Sequence, residues 1–207
     1  EWSPDSKWFL VKFGLPERIM SAEAGLVSAS GDGKIHNLTL SGYDDYMAKW
    51  ALDGKMMVYG TNRLGDRQEG GRLSSGDVYA MFFSQEAFDR FNLTKEEFAL
   101  VKEKEKKEED KEEDKKKDKS SSAKASKDKK NKKDKSSSSK ASEDEEKVEP
   151  IEIDWTNLTE RKKRLTTHTT RMNDWELSKD GEKLFYITRF ESTADIWVTD
   201  LREKKTK

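Results

Sequence analysis

The sequence predicts an all-β chain: a partial β-propeller of about three four-stranded antiparallel blades, with a helical and disordered charged insertion in the middle blade. Three observations carry that expectation. A tight-turn motif followed by an apolar run occurs three times, a tryptophan precedes each turn, and a 48-residue tract nearly devoid of apolar side chains interrupts the second copy.

The first copy is Ser3-Pro4-Asp5-Ser6-Lys7 before Trp8-Phe9-Leu10-Val11. The second is Leu52-Asp53-Gly54-Lys55 before Met56-Met57-Val58-Tyr59, and the third is Lys179-Asp180-Gly181-Glu182-Lys183 before Leu184-Phe185-Tyr186-Ile187. Asp-Gly suits the positive φ angles of a type I′ turn, and Pro-Asp favours a tight turn by fixing φ ahead of a residue that bonds its own backbone. Each copy therefore reads as a hairpin, with Trp2, Trp50 and Trp175 ahead of the turns. The runs are nearly continuous in apolar residues, which predicts inner strands covered on both faces. Residues 77–81 and 195–199 supply matching third strands, and 25–28 is a weaker copy. Polar fourth strands follow at 34–39, at 161–166 and from Leu201. Four short antiparallel strands per repeat, each sheet burying both faces on its neighbours, is the blade of a propeller.

Asp5 and Asp53 are 48 positions apart, about one blade, whereas Asp53 and Asp180 are 127 apart. The excess is assigned to an insertion between a third strand ending near Phe83 and a strand at Ile151-Glu152-Ile153-Asp154-Trp155. Apolar spacing over 84–101 predicts a helical stem, restarted by the capping box Thr94-Lys95-Glu96-Glu97. From Lys102 to Glu149 there are 18 Lys and 16 acidic residues. Their mixing extends a solvated helix through 102–119, each i,i+4 pair adding about 0.2–0.5 kcal/mol, and 120–142 is expected to be disordered. The organisation read from the sequence is thus blades over 1–83, a helical stem over 84–101, a charged linker over 102–149 and blades again over 150–207.

With 41 basic and 42 acidic side chains, the formal charge is −1. That balance gives no footprint for nucleic acid, and the charged tract reads as a spacer because its acids neutralise its lysines. No cysteine is present, which excludes disulfides and cysteine-based metal or nucleophile sites and fits either a cytoplasmic or a periplasmic setting. No apolar run approaches the roughly 18 residues of a membrane span. The chain opens on Glu1-Trp2 without an initiator Met, so it reads as a piece of a longer protein whose remainder would cover the end blades.

Candidate chemistry is sparse. A histidine base is limited to His36 and His168, both in polar contexts without a nucleophile elbow, and both read as surface or loop residues. Asp44-Asp45 and the pair Asp53 and Asp180 are carboxylates, the latter two required by their turns. The glycines Gly60, Gly65, Gly70 and Gly71 belong to a long loop without the Gly-Lys-Ser/Thr of a phosphate site. Ser30-Gly31-Asp32-Gly33 lacks the alternating carboxylates of a calcium loop. Asn37, Asn92 and Asn157 each stand in an Asn-Leu-Thr triplet, the N-glycosylation pattern. No catalytic, cofactor-binding or metal-ligating residue is assigned.

Trp2-Ser3-Pro4-Asp5-Ser6-Lys7 and Trp50-Ala51-Leu52-Asp53-Gly54-Lys55 resemble the Trp-Ser-Pro-Asp-Gly-Lys repeats of TolB-type and tricorn-type propellers. The stretch from Ile153-Asp154-Trp155 through Glu160-Arg161 to Arg164-Leu165, together with 82–88 and 195–202, is similar to tricorn-like peptidases. The resemblance implies a propeller region of a homo-oligomeric serine peptidase that filters or guides unfolded peptides. Proteolysis would belong to a separate core with a PDZ-like domain and a serine nucleophile. A noncatalytic TolB-like scaffold for protein partners is the alternative, and a prolyl-oligopeptidase-type propeller with a downstream α/β-hydrolase domain is a third reading.

Overall fold

The computed structural model describes residues 1–18, 21–65, 75–121, 150–189 and 193–207. It divides into two compact units, Glu1–Asn92 with Val148–Lys207, and Leu93–Lys147. The first unit holds three antiparallel meanders. The first sheet runs β1 (Trp8–Gly14), β2 (Ala22–Ser28) and β3 (Ile35–Asn37). The middle sheet runs β4 (Asp45–Ala51), β5 (Met56–Thr61), β6 (Asp77–Phe82) and β7 (Lys162–Arg164). The last runs β8 (Met172–Leu177), β9 (Lys183–Thr188), β10 (Asp195–Asp200) and β11 (Lys205–Thr206). In the first sheet the place of the opening strand is held by a single antiparallel bridge, Trp2 to Phe9.

The repeated turns take two geometries, and the difference follows from one hydroxyl. In the first copy Ser6 N–H bonds the Ser3 carbonyl at 2.9 Å. The Ser3 hydroxyl donates to Asp5 at 2.6 Å and accepts from Trp8 N–H, while the same Asp5 oxygen accepts from Lys7 N–H. Ser178, Asp180, Gly181, Glu182 and Lys183 reproduce this network bond for bond. Both turns end on a left-handed residue, Ser6 at φ 57° and Gly181 at φ 72°. At Asp180-Gly181 this replaces the expected type I′ turn, because the Ser178–Asp180 pair holds a right-handed turn ahead of the glycine. Ala51 offers no hydroxyl, and there the type I′ form does occur: Asp53 has φ 52° and ψ 36°, Gly54 has φ 86°, and Lys55 N–H bonds the Leu52 carbonyl at 3.0 Å.

Side-chain alternation along β5 builds two cores from one strand. Met57 and Tyr59 pack with Leu10, Ala24 and Leu26 of the first sheet. Met56 and Val58 pack with Trp175, Leu184 and Tyr186 of the last. Gly60 permits the closest approach: a Cβ there would lie 2.5 Å from the Trp175 ring and 2.6 Å from that of Tyr46. Burial on both faces, expected for every apolar run, holds for β5 and β6 but not for β1, where only Leu10 is buried, nor for β9. Leu184 and Tyr186 are buried there, whereas Phe185 and Ile187 are exposed and Ile196 beside them is 71% exposed. Sheets lie on both sides of the middle sheet and on only one side of the last.

The strand expected over Ile151-Glu152-Ile153-Asp154-Trp155 does not form. Instead Asp154 N–H bonds the Phe83 carbonyl at 2.9 Å and Ile151 N–H bonds Asp5 at 2.9 Å. A short 3₁₀ turn, Leu158–Glu160, then leads into β7. The reason is Arg161, which is 4% exposed. Its guanidinium donates to the carbonyls of Phe82, Thr156 and Asp154, drawing the segment into a coil around itself instead of a ladder.

After β6 the Ser84 hydroxyl caps α1 (Gln85–Asn92) by accepting from Ala87 N–H. Phe88 and Phe91 of α1 pack on Phe82, with ring centroids 5.5 and 4.9 Å away. In the second unit α2 (Lys95–Ser121) starts on the expected capping box: Thr94 N–H donates to Glu97 at 2.9 Å and Glu97 N–H to the Thr94 hydroxyl at 3.3 Å. The helix extends to Ser121. Residues 122–142 of the expected disordered stretch, and Gly70 and Gly71, lie outside the described residues. No helix among the described residues is long and apolar enough to cross a membrane.

Candidate functional site

The residues weighed for chemistry are held in structural roles. His36 stacks at 5.0 Å from Trp155 and 6.0 Å from Trp8. His168 contacts the Thr167 hydroxyl through Nδ1 and the Tyr186 hydroxyl through Nε2, each at 3.1 Å. Burial, and then the Arg164 cation, push its imidazole below the ordinary value. Asp44 and Asp45 are adjacent in sequence but face different partners. Asp44 accepts from Ala22 N–H and pairs with Lys12, while Asp45 is fully buried and accepts from the Ser41 hydroxyl. Burial pushes the Asp45 carboxyl up despite that bond. Asn37 donates to the buried Glu23 at 2.6 Å, Asn92 donates to the Phe88 carbonyl, and Asn157 adopts φ 52° ahead of the 3₁₀ turn.

A further buried polar group is not marked by sequence spacing. Asp77 is fully buried and accepts from Arg164 Nε at 2.9 Å, Thr166 at 2.7 Å and Thr169 at 2.9 Å. Arg164 Nη2 adds an ion pair at 2.7 Å. The network ties β6 to the polypeptide that leaves β7.

The arrangement best suited to recognition lies at the edges of the sheets. β4 and β8 each end their sheet, and Lys49 of β4 reaches across to β8. Its ammonium donates to the Trp175 carbonyl at 2.7 Å and to Asp174 and Glu176 at 3.1 Å each. Burial opposes that charge, yet the two carboxylates hold the Lys49 ammonium above its ordinary value, and Lys49 in turn holds the Asp174 carboxyl down. Beside this crossing opens a cleft of about 390 Å³ whose walls include Trp2, Trp50, Leu52, Trp175 and Leu177. Trp2 is 57% exposed. Edge strands lack a ladder partner on one side. Here Lys49 covers the Trp175 carbonyl and Glu1 the Trp50 N–H, so an incoming strand has to displace these side chains, while the indole walls bury its apolar side chains. Lys49 and Asp174 are 125 positions apart, so no local motif announces them. The tryptophan ahead of each turn is the sequence signal that marks the cleft. Among the described residues no cluster of three or more His, Asp or Glu side chains converges as a metal site would.

No protein-family model matches the chain, and no curated protein matches it. Among solved structures, all of the chain aligns with part of the crystal structure of the tricorn protease, with a TM-score of 0.53 at 10% identity. The fold is that of consecutive propeller blades. TolB from Acinetobacter baumannii aligns over 99% of the chain at 15% identity and a TM-score of 0.46. A putative TolB from Agrobacterium tumefaciens aligns over 100% at 10% identity and 0.47. The chain spans 17% of the tricorn protease chain and 30% and 46% of the two TolB chains.

Proposed function

We propose that this propeller segment docks extended peptides and controls their access to a tricorn-like serine peptidase, with hydrolysis performed by a core domain elsewhere. The observation that carries the reading is the cleft at the β4 and β8 edges, where indole walls flank strand backbone. An extended chain can add to such an edge through its own amides, while the strands of a folded domain are already paired except at protected edges. The peptide is then the partner, and the other domains of a homo-oligomeric parent complete the enzyme.

The test is a tryptophan-fluorescence titration of the 207-residue chain with an unfolded apolar-rich peptide and with a compact folded protein of similar composition. The peptide is expected to bind at micromolar to millimolar concentration, weakened about tenfold by Trp50→Ala, with no hydrolysis by the segment. Equal binding of the folded protein would favour the noncatalytic scaffold instead. Peptide turnover by the segment alone would overturn the division of labour.

A further inference from the structure

A second cavity, of about 340 Å³, lies between β7, an edge of the middle sheet, and the end of β10 with the turn that follows it. Phe91, Leu165 and Leu201 supply apolar walls, and Lys163, Arg164 and Lys204 line it with cations; no carboxylate is among its lining residues. The charge of Arg164 is matched by Asp77. Lys163 and Lys204 are different: among the described residues neither forms an ion pair. The Lys163 ammonium donates to the Asn92 side-chain oxygen and lies 5.4 Å from the centre of the Phe91 ring. Lys204 holds φ 54°, a left-handed conformation that a lysine adopts at a cost. Burial, and the nearby Lys204 and Arg202 cations, hold the Lys163 ammonium below its ordinary value.

Lys163 is partly buried beside like charges while Lys204 is exposed, and an opposite charge between them relieves the repulsion that Lys163 meets. We infer that this cavity binds a small organic oxyanion, its headgroup between Lys163 and Lys204 and its apolar body against Phe91, Leu165 and Leu201. Two ammonium groups act as point-charge donors to oxyanion oxygens, and the volume falls in the range of small-molecule sites. The site shares no residue with the cleft at β4 and β8, so it stands or falls independently of the peptide reading.

The test is calorimetric titration of the intact chain at low salt with phenyl phosphate, phenylacetate, inorganic phosphate and the neutral benzyl alcohol. Phenyl phosphate or phenylacetate binds below about 1 mM, the tighter of the two identifying the headgroup, and inorganic phosphate and benzyl alcohol bind at least about tenfold more weakly. Lys163→Gln and Lys204→Gln each weaken binding about tenfold, while Lys205→Gln, which removes only the exposed partner of Glu203, leaves it unchanged. Without ligand, Lys204→Gln leaves the melting temperature unchanged, because the side chain is exposed. Absence of binding up to about 10 mM, equal affinity in the lysine variants, or equal affinity for inorganic phosphate overturns the assignment.

Discussion

Replacing Asp77 by alanine tests how much the buried polar network holds the middle sheet. The carboxylate is fully buried and satisfies Arg164, Thr166 and Thr169 at once. Breaking a buried pair by removing one partner costs about 3–5 kcal/mol. The Arg164 side chain is 32% exposed, so water recovers part of the guanidinium and the cost falls to the low end, about 3 kcal/mol. Asp77→Asn keeps the shape and one acceptor and costs less, about 1–2 kcal/mol. Urea denaturation followed by tryptophan fluorescence at pH 7 reads both values from midpoint and slope. A double-mutant cycle with Arg164→Met isolates the pair, and a coupling of about 1.5–3 kcal/mol is expected because each residue leaves the other uncompensated. A cost below about 1 kcal/mol for Asp77→Ala, or additive single substitutions, would refute the reasoning.

Three further outcomes are expected. Ser6→Gly raises stability by about 0.5–1 kcal/mol, since glycine relieves the positive φ that Gly181 already accommodates in the equivalent turn; a lowered thermal midpoint would count against that equivalence. Gly60→Ala costs about 1–3 kcal/mol, because its Cβ overlaps the rings of Trp175 and Tyr46, and the shift of Trp175 is visible as altered near-UV circular dichroism. For His168, whose folded pKa lies below the unfolded 6.5, the unfolded chain takes up its proton first as pH falls. Stability is therefore full above about pH 6.5 and declines below it, with a slope of at most about 1.4 kcal/mol per pH unit. His168→Gln flattens that slope, and an unchanged pH profile would show that another group carries it.

The repeats were legible because turn chemistry is local. Asp53-Gly54 and Asp180-Gly181 each mark a chain reversal, and the apolar runs after them became β5 and β9. Which turn formed was less legible, because it depends on a side chain before the motif: a hydroxyl at Ser178 and none at Ala51. Residues 151–155 alternate well enough for a strand, yet a buried guanidinium eight positions past Ile153 claims the carbonyls of Asp154 and Thr156. The end blades were expected to need cover from further chain, whereas the side on which Phe185 and Ile187 would lie needed the register. The cleft and the cationic cavity join residues from different sheets, so composition could place Trp2, Trp50 and Trp175 near turns but could not bring Lys49 to Asp174 or Lys163 to Lys204.

Arg161 does more than shape the segment that it gathers. Its bonds to Phe82 on one side and to Asp154 and Thr156 on the other fasten the departing and returning polypeptide together inside the sheet unit, reinforced by Asp154 N–H on Phe83. The excursion between them is then a loop whose ends are already joined, and lengthening such a loop adds only about 0.6 kcal/mol per doubling. Apart from α1, whose Phe88 and Phe91 pack on Phe82, the sheet is insulated from the rest of the excursion. A tract of lysines and acids can be lengthened, shortened or exchanged for a foreign domain at this graft point while β6 and β7 keep their register.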